Sequence, residues 1–253
     1  MIDSIILYFQ FFTRIPIPVV IGEPEMKMRS GVRFFSLFGL MLGFLEAIVY
    51  WGIQHFFGAS ISWIIILFFD VMLTGGFHLD ALSDMADGLF SSRQKERMLE
   101  IMKDSRVGSN GVLAIVFYYL FLLFSFFALV PHLQYTQQAV IVLLLNLIGK
   151  NSISLLFYQM CYAGSNTEGL GTTFLNVKNH EIGLCQLLSF LTLVLFLGKV
   201  GIVCYVTTVL MTFFYRRLVI SKVGGFNGDT LGASSPISQC VYMLTLVLMR
   251  GFL

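Results

Sequence analysis

Residues 75–111 read GGFHLDALSDMADGLFSSRQKERMLEIMKDSRVGSNG, a polar segment that stands between long apolar runs. Within it, Asp80, Asp84 and Asp87 occupy positions i, i+4 and i+7. On a helix with about 100° per residue they fall within roughly 60° of one another and share one face. Like charges on one face repel, and three aspartates deep in a bilayer would cost roughly 7–10 kcal/mol. A helix that keeps this acidic stripe therefore needs a compensating cation.

The stripe predicts a site for a hard metal ion. Clustered carboxylates without Cys or abundant His favour Mg2+, with Mn2+ as an alternative, over zinc. The competing interpretation is a solvated acidic face at the membrane surface.

The composition indicates a membrane protein with several spans. Hydrophobic residues make up 57% of the chain and charged residues only 12%, whereas a soluble domain has about a quarter charged residues. The net charge of +2 is too small to indicate a nucleic-acid partner. The four cysteines show no CxxC spacing, so neither a disulfide framework nor a zinc site is expected. We expect no removable signal peptide, because the first residues, MIDSIILYFQ, lack a basic region.

The apolar runs predict an all-α, polytopic integral membrane protein with about seven transmembrane helices, in the range six to eight. Residues 4–13 are too few to span and predict a re-entrant or interfacial helix that ends at Pro16 and Pro18. The stretch 183–215 fits two short helices hinged near Gly198 and Gly201 better than one tilted helix. The predicted spans are therefore 34–57, 60–77, 111–130, 136–162, two within 183–215, and 236–253.

The basic residues give an internal check on this count. Most of them fall into four stretches, at residues 14–33, 93–106, 178 and 216–222, and each pair of successive stretches is separated by two predicted spans, so all four stretches lie on the same side. The positive-inside rule makes that side cytoplasmic. With no internal repeat or linker visible, residues 1–253 are predicted to form a single membrane-embedded domain.

The sequence KDSRVGSNG, residues 103–111, is the second candidate site. Lys103 and Arg106 flank Asp104, and such cations neutralise phosphate oxygens beside a metal-binding carboxylate. Gly108 and Gly111 would let backbone N–H groups approach a diphosphate. The alternative is an ordinary basic loop next to the membrane.

Further candidates are weaker. The loop EGLGTTF, residues 168–174, is flexible and carries hydroxyls. The second motif, KVGGFNGDTLGASSP, covers residues 222–236 and surrounds Asp229 with glycines. Such glycines suit either the close approach of the backbone to a ligand or a simple turn. His78 is a candidate general base or a hydrogen-bonded helix cap. Arg14 is a candidate headgroup anchor or phosphate ligand.

This set favours phosphoryl chemistry over acyl or redox chemistry. The sequence contains no nucleophile elbow, Walker A loop or dinucleotide fingerprint. Carboxylates, an implied metal ion and cationic clamps can align a diphosphate with an incoming hydroxyl. The residues alone thus predict a membrane-bound, metal-dependent phosphotransferase acting on a nucleotide-activated substrate.

Two linked motifs, HLDALSDMADG and IMKDSRVG, closely resemble the signature of the cobalamin synthase family, the adenosylcobinamide-GDP ribazoletransferases. Further similarity runs along the chain in FFTRIPIP, EGLG and GGFNGDTLGA. The resemblance implies an enzyme of the bacterial cytoplasmic (inner) membrane whose active site faces the cytoplasm. It would join adenosylcobinamide-GDP to α-ribazole, or to its 5′-phosphate, with release of GMP, and it would need Mg2+.

The resemblance also implies roles for matching residues. The metal ligands would be Asp80, Asp84, Asp87 and Asp104, and catalysis would involve Asp84, with Asp104 as a further ligand or a base. His78 is a candidate base from its position alone, two residues before Asp80. The substrate-binding residues would be Lys103, Arg106 and Asp229. Membrane lipids are expected partners, together with an oligomer or other membrane enzymes of the corrinoid pathway.

Three rival functions stay open at this point. A CDP-alcohol phosphotransferase, which makes lipid headgroups, also places aspartates on helices, but the Ala-Arg pair of its signature is missing from this sequence. An ion-coupled transporter would use intramembrane Glu46 and Asp70. A non-catalytic scaffold for the corrinoid pathway would not need the acidic stripe.

Overall fold

The computed structural model describes residues 1–164 and 170–253, and these residues are mostly helical. Within the described ranges the β interactions are limited to one bridge between Tyr162 and Phe226. The α-helices are α1 (Ile2–Phe12), α2 (Pro24–Ser30), α3 (Phe35–Thr74), α4 (Phe77–Ser91), α5 (Lys95–Met102), α6 (Ser109–Leu129), α7 (Tyr135–Leu156), α8 (Leu170–Thr173), α9 (Asn179–Val223), α10 (Gly228–Gly232) and α11 (Ser234–Leu248).

Helix α3 folds back on itself at Gly58. This residue has φ 71° and ψ 167°, a conformation that residues with a Cβ rarely adopt. On a straight helix Glu46 and Asp70 would lie about 36 Å apart. Instead, the Nδ2 of Asn146 donates to Glu46 at 2.7 Å and to Asp70 at 3.3 Å. The two halves of α3 therefore form a hairpin of two spans.

Helix α9 is a second hairpin, with its turn at Gly198 (φ 56°, ψ −129°). The hydroxyl of Tyr205 donates to the side chain of Gln186 at 3.1 Å, and the Tyr205 ring lies 5.2 Å from that of Phe190. A straight helix would separate residues 186 and 205 by about 28 Å. The close approach at Gly201, where a Cβ would overlap the Leu193 carbonyl, brings the two halves together.

Five helices are long and apolar enough to cross a membrane. Two of them are the hairpins α3 and α9, so the described residues provide seven spans, and the prediction of an all-α membrane protein with about seven is confirmed. Helix α7 ends earlier than predicted, at Leu156 rather than near residue 162. Arg216 donates to the carbonyls of Leu156 and Gln159, which satisfies the C-terminal end of α7.

Helix α7 lies at the centre of the molecule and is buried along most of its length, with α3, α9 and α11 packed around it. Large apolar side chains are exposed on the outward faces of the peripheral spans, among them Phe44, Phe68, Phe124, Leu195 and Phe214. Such a belt is expected where helices contact lipid.

The four polar connections lie at one end of the bundle. Arg29 donates to the Thr173 carbonyl at 2.8 Å, which joins the first connection to the third. The Phe226 N–H donates to the Cys161 carbonyl at 2.7 Å, which joins the third to the fourth. Asn227 contacts Met102, which joins the fourth to the second.

Candidate active site

Helix α4 carries the acidic stripe, and its three aspartates differ in exposure. Asp80 is exposed, Asp84 is half-buried and Asp87 is 4% exposed. They lie within one helix, Phe77–Ser91, as their spacing predicts. The helix therefore presents carboxylates at three depths.

Asp87 is bound to backbone N–H groups at the start of α6. Its carboxylate accepts hydrogen bonds from Gly108 N–H at 2.7 Å and from Gly111 N–H at 2.9 Å. A Cβ on either glycine would overlap this carboxylate, so the close approach requires glycine at both positions. The sequence predicts that these N–H groups face a phosphate. In the structure they are donated to Asp87, because a buried carboxylate and a helix N-terminus stabilise each other.

Asp229 joins Asp80 and Asp84 from the other side. It lies in the first turn of α10, which Asn227 caps by accepting the Thr230 N–H at 2.9 Å, and Asn227 also donates to Asp229 at 3.1 Å. Helix α10 packs directly on α4. Asp80, Asp84 and Asp229 are called the acidic cluster below.

The acidic cluster is electrostatically strained without a cation. Burial, together with the charges of Asp80, Asp229 and Asp87 in that order, raises the pKa of Asp84 to about 7 from an ordinary 3.8. The three carboxylates of the cluster supply only oxygen ligands, which suit a hard divalent ion. Across residues 1–164 and 170–253, no three His, Cys, Asp or Glu side chains form a ready-made ligand set.

The residues of the KDSR motif lie in two places, one near the acidic cluster and the others at the surface. Lys103 lies near Asp229. Asp104 instead turns to Arg106, which donates to both of its oxygens at 2.6–3.2 Å. Hydrogen bonds from the Arg106 side chain and backbone lower the pKa of Asp104 to about 2. Asp104 is thus apart from the acidic cluster, within a solvent-exposed ion pair.

His78 lies in the first turn of α4 and faces the interior. Its Nε2 is 3.0 Å from the ammonium of Lys150 on α7, and its Nδ1 is buried with no hydrogen-bond partner. Burial, and secondarily the Lys150 charge, lowers the pKa of His78 well below its usual range. An imidazole that stays neutral can offer a donor or an acceptor at fixed positions.

Arg14 follows α1 and is held next to the turn between α3 and α4. Its N–H donates to the Leu73 carbonyl at 2.7 Å, and its guanidinium lies against Gly75. It lines a broad cleft between α1, α4 and α6 that also includes Asp80 and Ser83. This position fits the phosphate-ligand interpretation of Arg14 as well as the headgroup anchor.

Two features near the site were not recognised as a unit in the sequence. Asn146 and Lys150 appeared only as interruptions of an apolar run, yet both are nearly fully buried and contact Glu46 and His78 respectively. Their spacing of one helical turn was the available signal. Part of the EGLGTTF loop, residues 165–169 with Glu168 and Gly169, lies outside the described residues.

Fold and site together define a polytopic membrane protein with a carboxylate cluster at one polar end. A family model described as cobalamin-5-phosphate synthase matches residues 4–247, and the chain belongs to that family. It is 43% identical to an adenosylcobinamide-GDP ribazoletransferase of Listeria monocytogenes over 98% of each chain. The protein of the same name from Listeria welshimeri is 44% identical over 99% of each chain, and that from Clostridium novyi is 36% identical over 98%. No solved structure matches.

Proposed function

We propose that this chain is an adenosylcobinamide-GDP ribazoletransferase, which assembles the nucleotide loop of cobalamin. It would join adenosylcobinamide-GDP to α-ribazole, or to its 5′-phosphate, and release GMP. The observation that carries the proposal is the convergence of Asp80 and Asp84 with Asp229 at the polar end, next to Lys103. Family membership favours this function over a lipid-headgroup enzyme, a transporter or a scaffold.

The reaction requires one P–O bond to form as another breaks. The ribose hydroxyl of α-ribazole attacks the cobinamide-linked phosphorus, and GMP leaves with the electron pair of the broken bond. The hydroxyl proton must pass to a base near that oxygen. Asp104 is poorly suited to accept it, because the hydrogen bonds from Arg106 lower the pKa of Asp104 to about 2.

We assign the metal site to the acidic cluster. Asp80, Asp84 and Asp229 would hold Mg2+, or Mn2+, and the bound ion would neutralise the diphosphate as its charge redistributes. Asp87 would position the start of α6 rather than bind the ion, since backbone N–H groups use both of its oxygens. Lys103 and Arg106 would bind the phosphates, and Asp104 would orient Arg106.

Turnover by purified protein tests this function. The protein is placed in lipid nanodiscs with adenosylcobinamide-GDP, α-ribazole and Mg2+, and GMP and the corrinoid product are quantified. We expect activity that stops with EDTA and falls about a thousandfold in Asp84→Asn. Asp3→Asn is the matched control, because Asp3 is an exposed carboxylate paired with Lys27 outside the site. Full activity of Asp84→Asn, or flux of an ion in place of turnover, would contradict the proposal.

We also propose that the polar end faces the bacterial cytoplasm, because it carries the basic connections. Cys161 is an exposed cysteine at this end. A membrane-impermeant maleimide should label it in inverted vesicles but not in intact cells, with Cys161→Ser as the control. Labelling in intact cells would reverse the orientation. Lipid contacts, an oligomer and association with other corrinoid enzymes stay predictions.

A further inference from the structure

An aromatic pocket opens beside the acidic cluster. Five phenylalanines line it, and we call it the phenylalanine pocket; they are Phe11, Phe12, Phe77, Phe157 and Phe174. The cavity volume is about 40 Å³, and the pocket is partly open. Phe157 and Phe174 stack with their ring centres 4.4 Å apart, and Phe11 and Phe77 meet edge to face at 5.4 Å. The pocket thus has rigid aromatic walls that suit a flat ring.

The pocket and the acidic cluster share two helices. Helix α4 contributes Phe77 and His78 to the pocket and Asp80 and Asp84 to the cluster. Helix α10 contributes Gly228 and Gly232 to the pocket and Asp229 to the cluster. A molecule seated in the pocket therefore lies next to the two helices that carry the carboxylates. A nucleoside would place its sugar at that boundary.

His78 supplies a single hydrogen-bond donor to the wall. A lysine ammonium has protons and no acceptor, so Lys150 donates to Nε2 and the imidazole proton resides on Nδ1. Nδ1 has no partner, and it lies 3.9 Å from the position that a Cβ on Gly232, a residue of the pocket wall, would occupy. An unpaired buried donor is unfavourable, and a ligand acceptor would satisfy it.

We propose that the phenylalanine pocket binds the flat base of the acceptor nucleoside, with His78 Nδ1–H donating to its one free ring nitrogen. The proposal rests on the function proposed above, which makes α-ribazole the acceptor. Its benzimidazole has apolar faces and edges and one ring nitrogen with an unshared pair. Guanine fits less well, because several of its polar edge groups would be buried without partners. The corrin ring is too large for this space.

The first test compares two nucleosides on the wild-type protein. Binding of α-ribazole to protein in nanodiscs is measured against the same nucleoside with the free ring nitrogen replaced by CH. We expect the CH analogue to bind about ten to a hundred times more weakly. Equal binding of the two would overturn the proposal without any variant.

The second test changes the side chain of residue 78 and asks whether the protein still prefers α-ribazole over its CH analogue. His78→Phe should weaken α-ribazole binding by about tenfold or more and abolish the preference for nitrogen over CH. His78→Asn is the matched variant, because its amide N–H lies near the position of Nδ1 and should retain part of the preference. Leu231→Trp, which fills the pocket, should abolish binding of both nucleosides. A preference that survives in His78→Phe would overturn the assignment.

Turnover separates this inference from the function itself. In the GMP-release assay, His78→Phe should raise KM for α-ribazole, whereas KM for adenosylcobinamide-GDP should not change. If the protein turns over but His78→Phe keeps the nucleoside preference, the pocket assignment fails and the function stands. If the preference in binding is present but no GMP is released, the proposed function fails and the pocket assignment stands.

Discussion

Asp87→Asn is predicted to destabilise the protein rather than to act directly on catalysis. The carboxylate accepts N–H groups from Gly108 and Gly111 at 2.7 and 2.9 Å and is 4% exposed, so water cannot replace it. Hydrogen bonds to a charged group contribute about 1.5–3 kcal/mol each, and the α6 dipole adds about 0.5–1 kcal/mol. Asparagine keeps one acceptor oxygen and turns an amide N–H towards the second donor. The expected loss is about 2–4 kcal/mol.

Thermal unfolding in detergent, without substrate or metal, measures this loss. For a chain of this size, 1 kcal/mol corresponds to about 2–4 °C, so Asp87→Asn should melt roughly 5–12 °C below wild type. Asp84→Asn is the matched comparison on the same helix face. It removes a repelled carboxylate and should not lower the melting temperature at pH 8, although it abolishes activity. If Asp87→Asn melts like wild type and loses metal affinity as Asp84→Asn does, Asp87 is a ligand and the capping argument is refuted.

Three further outcomes are expected. Burial and neighbouring carboxylates raise the pKa of Asp84 to about 7, so the contribution of Asp84 to the stability of the metal-free fold is fully present below the ordinary pKa of 3.8 and is lost as the pH rises through 7. Mg2+ affinity, measured by calorimetry, should rise up to tenfold per pH unit from 5 to 7. Gly108→Ala should lower the melting temperature, because its Cβ overlaps the Asp87 carboxylate, while Gly22→Ala, in open space, should not. Lys150→Met should lower the free energy of unfolding by about 3 kcal/mol in a denaturation series, because Glu46 and Asp70 then lack a nearby cation. An unchanged free energy of unfolding would show that the cation is dispensable.

The spans were predictable because lipid imposes length and hydropathy on each one. Gly58 and Gly198 mark turns for the same reason, since a helix of 40 or 45 residues cannot cross once. What periodicity could not predict is which spans meet. Asn146 binds Glu46 and Asp70 from different halves of α3, and such pairings depend on three-dimensional packing, which local spacing does not contain.

The residue types of the candidate site were easier to predict from the sequence than the contacts that these residues make. The spacing places Asp80, Asp84 and Asp87 on one helix face, and the structure has that face. Asp229 could not be assigned to the same cluster from spacing, because some 140 residues separate it from α4. Asp104 was expected beside the stripe, but Arg106 is two residues away and forms its ion pair without any tertiary contact.

The two sequence motifs of the 75–111 segment act as one structural unit. The third aspartate of the first motif is buried, and a buried carboxylate needs donors. Gly108 and Gly111 of the second motif supply those donors, and their lack of a Cβ lets the carboxylate approach. This contact fixes the start of α6 against α4 and brings the KDSR turn to the polar end, where Lys103 lies near Asp229. A change at Gly108 should therefore disturb the acidic cluster indirectly, through Asp87, without removing any carboxylate from it.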